Sequence, residues 1–251
     1  MATSAKEWSE IFKKYNSGTY NNQVNNPPPP PPPPRKERPN RKENKQNKKW
    51  IVVDYKLFTK GKPIAPNTLW ILEQIPGFIV DRDMSPTLNM QGFWSSYNIP
   101  YFPFIYNISG YPEAYEKHGN SYSYEYCPRA RIFRRDQGNV HNMESFKFIM
   151  RYNEWETDPL SLGNACNSIS SRCDLNPPSQ KPGPFGAIDA KVTSSQMVKM
   201  MAAEALCGPT NQDQPTFTWD MWKSTPHFGQ PLYFDFPFVT MSPAQANGDE
   251  K

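Results

Sequence analysis

Trp8, Ile11, Phe12 and Tyr15 fall at i, i+3, i+4 and i+7, the spacing that gathers apolar side chains on one stripe of an α-helix. Ser4 and Glu7 stand just ahead of that stripe in the Ser-x-x-Glu order of a capping box, so a helix is predicted over residues 5–15. The period then changes. Trp50–Phe58, Thr68–Gln74 and Phe78–Asp81 are short β-branched or aromatic runs separated by Gly and Pro, and they predict strands. A second helix fits Met143–Tyr152, where Phe146, Ile149 and Met150 can share a face. A third fits Ser194–Cys207, with Met197, Met200, Met201 and Ala205 apolar and Gly208 as the stop. The methionines there read as flexible core filler. Strand meanders combined with helices predict a mixed, α+β protein.

Two segments break the pattern. Residues 24–49 hold eight consecutive prolines (27–34) and then a run rich in Lys, Arg and Asn. The prolines favour stiff polyproline II, and the charged half cannot collapse, so a solvent-exposed, disordered insertion is expected at the start of a strand. It reads either as a ligand for proline-recognising modules, which would make this an interaction protein, or as a low-complexity expansion or retained non-coding segment. Residues 243–251 are polar and aperiodic, and a disordered tail is expected. The rest, within 1–242, is rich in Trp and Tyr and can bury a sizeable core.

Charge changes the picture once it is apportioned. The net charge is +4, but residues 24–49 carry eight Lys or Arg against two Glu, which leaves about −2 for everything else. No basic footprint remains on the folded part, and nucleic acid is not an expected partner. The four cysteines, Cys127, Cys166, Cys173 and Cys207, contain no CxxC pair, and His118, His141 and His227 are isolated. Neither a metal nor an organic cofactor is called for. Cys166 and Cys173 are close enough to close a small disulfide loop, as an oxidising compartment would allow; free, partly buried thiols are the alternative. Asn107-Ile-Ser109 is a glycosylation sequon, relevant if the chain enters the secretory route. Met1–Trp8 has no apolar core and is no signal peptide, and Glu73, Gln74 and Pro76 interrupt Leu69–Val80, so no transmembrane segment is expected.

The densest chemistry lies between Tyr97 and Gln137. Asn98, Arg129, Arg131, Arg134 and Arg135 alternate there with Tyr, Phe, Pro and Gly, a mixture that suits a rigid, loop-rich pocket wall. By residue type alone, Asn98 before Ile-Pro can equally be a turn residue, and Arg129 a cation–π group at the surface. Asn21 and Asn22 either line a pocket or cap the following strand. Arg135, with Arg134 and Asp136, reads as an ion-pair cluster or a pocket contact. Asp54 and Lys56 are expected to face solvent, or each other, across a strand.

The ordered motifs carry a resemblance. Gly18-Thr-Tyr-Asn-Asn-Gln23, Val53-Asp-Tyr-Lys56, Leu72-Glu-Gln-Ile-Pro-Gly77, Ser96-Tyr-Asn-Ile-Pro100, Ser109-Gly-Tyr-Pro112, Cys127-Pro-Arg-Ala130, Phe133-Arg-Arg-Asp-Gln137, Met150-Arg-Tyr-Asn153 and Gly208-Pro-Thr210 together resemble the C-terminal portion of the phospholipase B-like (lamina ancestor) family of N-terminal-nucleophile hydrolases. The resemblance implies an incomplete part of a four-layer αββα sandwich. It implies hydrolysis of acyl-ester or amide bonds in lipid-like substrates, in a lysosomal or secreted setting. In such enzymes a Cys, Ser or Thr at a new N-terminus attacks the carbonyl and its α-amino group serves as base. Removal of Met1 here exposes Ala2, which cannot attack, so the nucleophile is expected upstream, in a missing N-terminal segment. A truncated, catalytically inactive product is the alternative. By the same resemblance Asn98 matches the oxyanion-side asparagine and Arg129 the pocket arginine. No Gly-x-Ser-x-Gly elbow or His-Glu-x-x-His pair offers another hydrolytic chemistry.

Overall fold

In a computed structural model, which describes residues 2–14, 16 and 48–243, the N-terminal stripe forms helix α1 (Ala5–Lys14). Strands β1 (Lys48–Val53), β2 (Leu69–Ile75) and β3 (Phe78–Asp83) make an antiparallel sheet in that order. Register puts Lys49 opposite Glu73, Trp50 opposite Leu72, and Leu72 opposite Asp81. The tight β2–β3 turn is Pro76-Gly77, with Gly77 at φ 85°, where a side chain would be strained.

Strand periodicity divides this sheet into two working faces. Trp50 and Asp81 share one face, against α1: Phe12 packs edge-on to Trp50 at 4.9 Å, while Ser9 and Lys13 reach the Asp81 carboxylate at 2.6 and 2.8 Å. On the other face Leu69, Ile71 and Ile75 form a core with Met84, Phe102 and Ile105. These last three come from helix α2 (Ser85–Gln91), helix α3 (Pro103–Ile108) and the residues that introduce them. Lys49 and Glu73 belong to this second face.

Helices α4 (Tyr111–His118), α5 (Pro128–Asp136) and α6 (Met143–Arg151) follow. A second antiparallel sheet holds β4 (Asp189–Val192), β5 (Ala203–Cys207) and β6 (Val239–Met241), with helix α7 (Ser195–Lys199) between β4 and β5. The chain divides into two compact units, Met1–Cys127 and Pro128–Lys251. In the second, Ile132, Ile149, Tyr152 and Ile169 make the core, with Phe133, Phe146, Met150 and Leu160 packed around it. Asn142 caps α6 by accepting the Ser145 amide at 2.9 Å.

The mixed α+β class stands, with small antiparallel sheets. Four expectations are corrected. The stretch 97–137 is largely helical rather than loop-rich: Pro103, Pro112 and Pro128 each open a helix, where the missing N–H costs nothing. Strand β1 ends at Val53, because the Asp54 carboxylate accepts the Lys56 amide at 3.1 Å and starts a 3₁₀ turn; Asp54 is buried, and the exposed Lys56 ammonium faces it at 3.6 Å, as expected, but from a turn and not across a strand. Ser194–Cys207 is a short helix followed by a strand. The break comes at Met201 (φ 51°), and Met200 and Met201 are 63% and 75% exposed rather than core filler. Lys48 and Lys49 are not disordered insertion but the first residues of β1. The remainder of that segment (24–47), Asn21, Asn22 and residues 244–251 lie outside the described residues.

Candidate functional site

Glu73 is the place from which the site is built. Its side chain is wholly buried, so its carboxylate must find internal partners. Oε1 accepts the Tyr101 amide at 2.8 Å and the Lys49 ammonium at 2.9 Å, and Oε2 accepts the Phe102 amide at 2.9 Å. Lys49 donates a further hydrogen bond to the Ile99 carbonyl at 3.0 Å. Its ammonium lies 5.3 Å from the Trp94 ring and 5.2 Å from the Tyr124 ring, within cation–π range. Burial pulls the Lys49 ammonium below its ordinary value, and Glu73 opposes that.

This arrangement grips the backbone on the C-terminal side of Asn98. Asn98 sits at φ 61°, the left-handed region that asparagine tolerates and most side chains avoid. The Tyr111 hydroxyl, from α4, donates to the Asn98 carbonyl at 2.9 Å. On the N-terminal side the Tyr124 hydroxyl donates to the Ser95 carbonyl at 2.5 Å, and the Ser95 and Tyr97 hydroxyls hydrogen-bond each other. The Tyr97 and Tyr101 rings lie 5.2 and 5.0 Å from that of Tyr124. Burial pushes the Tyr124 phenol far above its ordinary value and raises that of Tyr101. Asn98 is thus a half-buried residue on a backbone fixed on both sides.

Arg129, in the first turn of α5, belongs to the second unit and is half-buried. Arg135, at the other end of α5, grips Asp158 with two hydrogen bonds of 2.9 Å and Asp136 with two of 2.7 Å, and reaches the Tyr152 hydroxyl at 3.2 Å. It lines a cleft of about 490 Å³ together with Phe148, Ile149, Tyr152, Glu154 and Asp158. Burial raises the Asp158 carboxyl, but hydrogen bonds from Arg135, Tyr152 and the Leu160 amide outweigh it and leave the group below its usual value. Burial and the Asp158 contact push the Tyr152 phenol up to about 12. Most of the Arg135 donors are therefore committed to an ion-pair network.

Two further arginines organise the second unit. Arg151 donates to the Gly208 and Pro209 carbonyls at 2.7 and 3.1 Å. Arg172 pairs with Asp174 at 2.7 Å and holds the carbonyls of Thr210 and Pro215. The motifs Met150–Asn153 and Gly208–Thr210, far apart in sequence, are thereby one structural unit. Cys166 and Cys173 are joined (S–S 2.02 Å). Asn107 is exposed on α3, and the Ser109 hydroxyl of its sequon turns inward to the Ile105 carbonyl. Among the described residues no group of three or more His, Cys, Asp or Glu side chains is arranged to hold a metal ion, and no helix is long and apolar enough to cross a membrane.

Reasoning from sequence singled out Asn98 but missed the Lys49–Glu73 pair beneath it. Lys49 was hidden in a lysine-rich run. The available signal was Leu72-Glu-Gln74, where a carboxylate interrupts an apolar strand that must be covered on both faces.

A family profile described as Phospholipase B matches residues 40–241. The chain is 43% identical over 244 residues to Phospholipase B-like 1 of Rattus norvegicus, 41% to Phospholipase B of Crotalus adamanteus, and 39% over 250 residues to Phospholipase B-like protein A of Dictyostelium discoideum. These alignments take in 96–97% of this chain but 39% of each relative, so the chain spans about two-fifths of their length.

Proposed function

This chain belongs to the phospholipase B family, and on that premise we propose that it supplies the oxyanion-side asparagine of a hydrolase acting on acyl-ester or amide bonds of lipid-like substrates. The attacking thiol comes from sequence outside this chain. The thiolate adds to the substrate carbonyl carbon, and the negative charge that develops on the carbonyl oxygen is met by the Asn98 amide N–H. Collapse expels the alcohol or amine with a proton, leaving a thioester. Water then cleaves it to the carboxylic acid and regenerates the thiol. Arg129 orients the nucleophile or holds an anionic group of the substrate through its planar fork.

The observation that carries this reading is Asn98 at φ 61°, on a backbone gripped by Lys49, Glu73 and Tyr111. Backbone held in a sparsely populated region clusters at sites that need a preset donor. A lysosomal or secreted location follows from the same reading; the Cys166–Cys173 bond and the exposed Asn107 sequon suit it.

The test is hydrolysis of a chromogenic acyl ester and acyl amide by the purified chain, alone and with the upstream segment of a family member added. Turnover is expected only with the segment. Turnover by the chain alone overturns the assignment of the nucleophile, and none in either arm overturns the hydrolase reading.

A further inference from the structure

The Lys49–Glu73 pair is an unusual thing to find in a small core. Both side chains are shut away from water, and the cost of desolvating two charges offsets much of what their attraction contributes to stability. What such a pair offers that apolar side chains cannot is directional grip on backbone polar groups. Among the described residues, its hydrogen bonds beyond the ion pair itself fall on one short stretch: the Ile99 carbonyl, the Tyr101 amide and the Phe102 amide. Pro100 interrupts that stretch and has no N–H of its own to anchor it. Strand register sets the grip in place, since Lys49 and Glu73 are directly opposite on adjacent strands and on the same face. The Tyr111 hydroxyl adds a fourth bond, to the Asn98 carbonyl.

We propose that Lys49, Glu73 and Tyr111 are positioning residues that set the Asn98 amide for transition-state stabilisation. Glu73 and Lys49 do this through the backbone of residues 99–102, and Tyr111 through Asn98 itself. This rests on the proposed oxyanion role of Asn98. Their effect falls on kcat and leaves KM alone, because a donor aimed at the oxyanion adds little to ground-state binding. Displacement of a catalytic group by ~1 Å costs on the order of 100-fold in rate.

The experiment measures kcat and KM of an acyl-ester chromogen with the hydrolytically active preparation, this chain plus the upstream family segment. It compares Tyr111→Phe and the charge-neutral double variant Lys49→Met/Glu73→Gln with Lys13→Met, which breaks the Asp81 contact on the opposite sheet face. Tyr111→Phe removes a single hydroxyl and is expected to fold, so it decides the matter if the double variant does not. Amide hydrogen exchange at residues 97–104 supplies a readout independent of turnover. Expected are a fall in kcat of roughly 10-fold for Tyr111→Phe and roughly 100-fold for the double variant, with KM within about twofold. Lys13→Met keeps the unsubstituted kcat, and exchange at Tyr101 and Phe102 speeds up only in the double variant. Folded variants with unchanged kcat, or a kcat loss that Lys13→Met shares, overturn the positioning role while leaving the hydrolase reading intact. No turnover by the unsubstituted preparation overturns both.

Discussion

The ammonium of Lys49 and the carboxylate of Glu73 face each other across β1 and β2 at 2.9 Å, with 2% and 0% of their side chains exposed. Removing one partner leaves a buried charge uncompensated. Lys49→Met is therefore expected to lose about 3–5 kcal/mol in urea unfolding, whereas Lys49→Met/Glu73→Met recovers a large part of that loss. Equal losses for the single and double variants would show that the pair is not coupled.

The Arg135–Asp158–Tyr152 network predicts a pH response. Asp158 is held below its ordinary 3.8 in the folded protein. Between that ordinary value and the lower folded one, the unfolded chain binds the proton more readily, so stability rises with pH across the window. The contribution is thus present above about pH 4 and lost as pH falls through the folded value. Replacing Asp158 by Asn should flatten the decline in Tm as pH falls below about 4; an unchanged slope would remove Asp158 as a cause.

Arg172 is among the largest fully buried side chains, and its guanidinium spans Asp174 and two carbonyls of the 210–215 loop. Arg172→Met strands Asp174 and both carbonyls. A loss of about 3–5 kcal/mol is expected, with earlier proteolytic cutting near Thr210. Arg172→Lys should rescue little, because a point charge cannot reproduce the planar fork.

The Cys166–Cys173 bond closes a loop of sequence separation 7. So short a loop removes little entropy from the unfolded chain, and Cys166→Ser with Cys173→Ser should cost about 2 kcal/mol. Thermal melting with and without reductant measures it, and the double serine variant should show no reductant effect.

Local signals read well where one element decides its own structure: the capped stripe of α1, the β2–β3 turn at Pro76-Gly77, and the periodicity of α6. They misled where a single residue ends an element. Asp54 stops β1, and Met201 divides what reads as one methionine-rich helix into α7 and β5. Asn98 and Arg129 stood out by motif and type, each as a candidate within its own unit. The clamp under Asn98 did not, because a strand register unites Lys49 with a glutamate that sequence reading cannot pair with it. Likewise Arg151 gave no hint in sequence that its partners are carbonyls at positions 208 and 209.

Asn98 itself offers the most direct measurement. Glycine accepts φ 61° without strain, so Asn98→Gly deletes the amide while sparing the backbone, which Asn98→Ala would not. With the upstream family segment present, kcat for an acyl ester should fall by about 100- to 1,000-fold in Asn98→Gly, with KM nearly constant. A folded Asn98→Gly preparation that turns over at the unsubstituted rate would contradict the account.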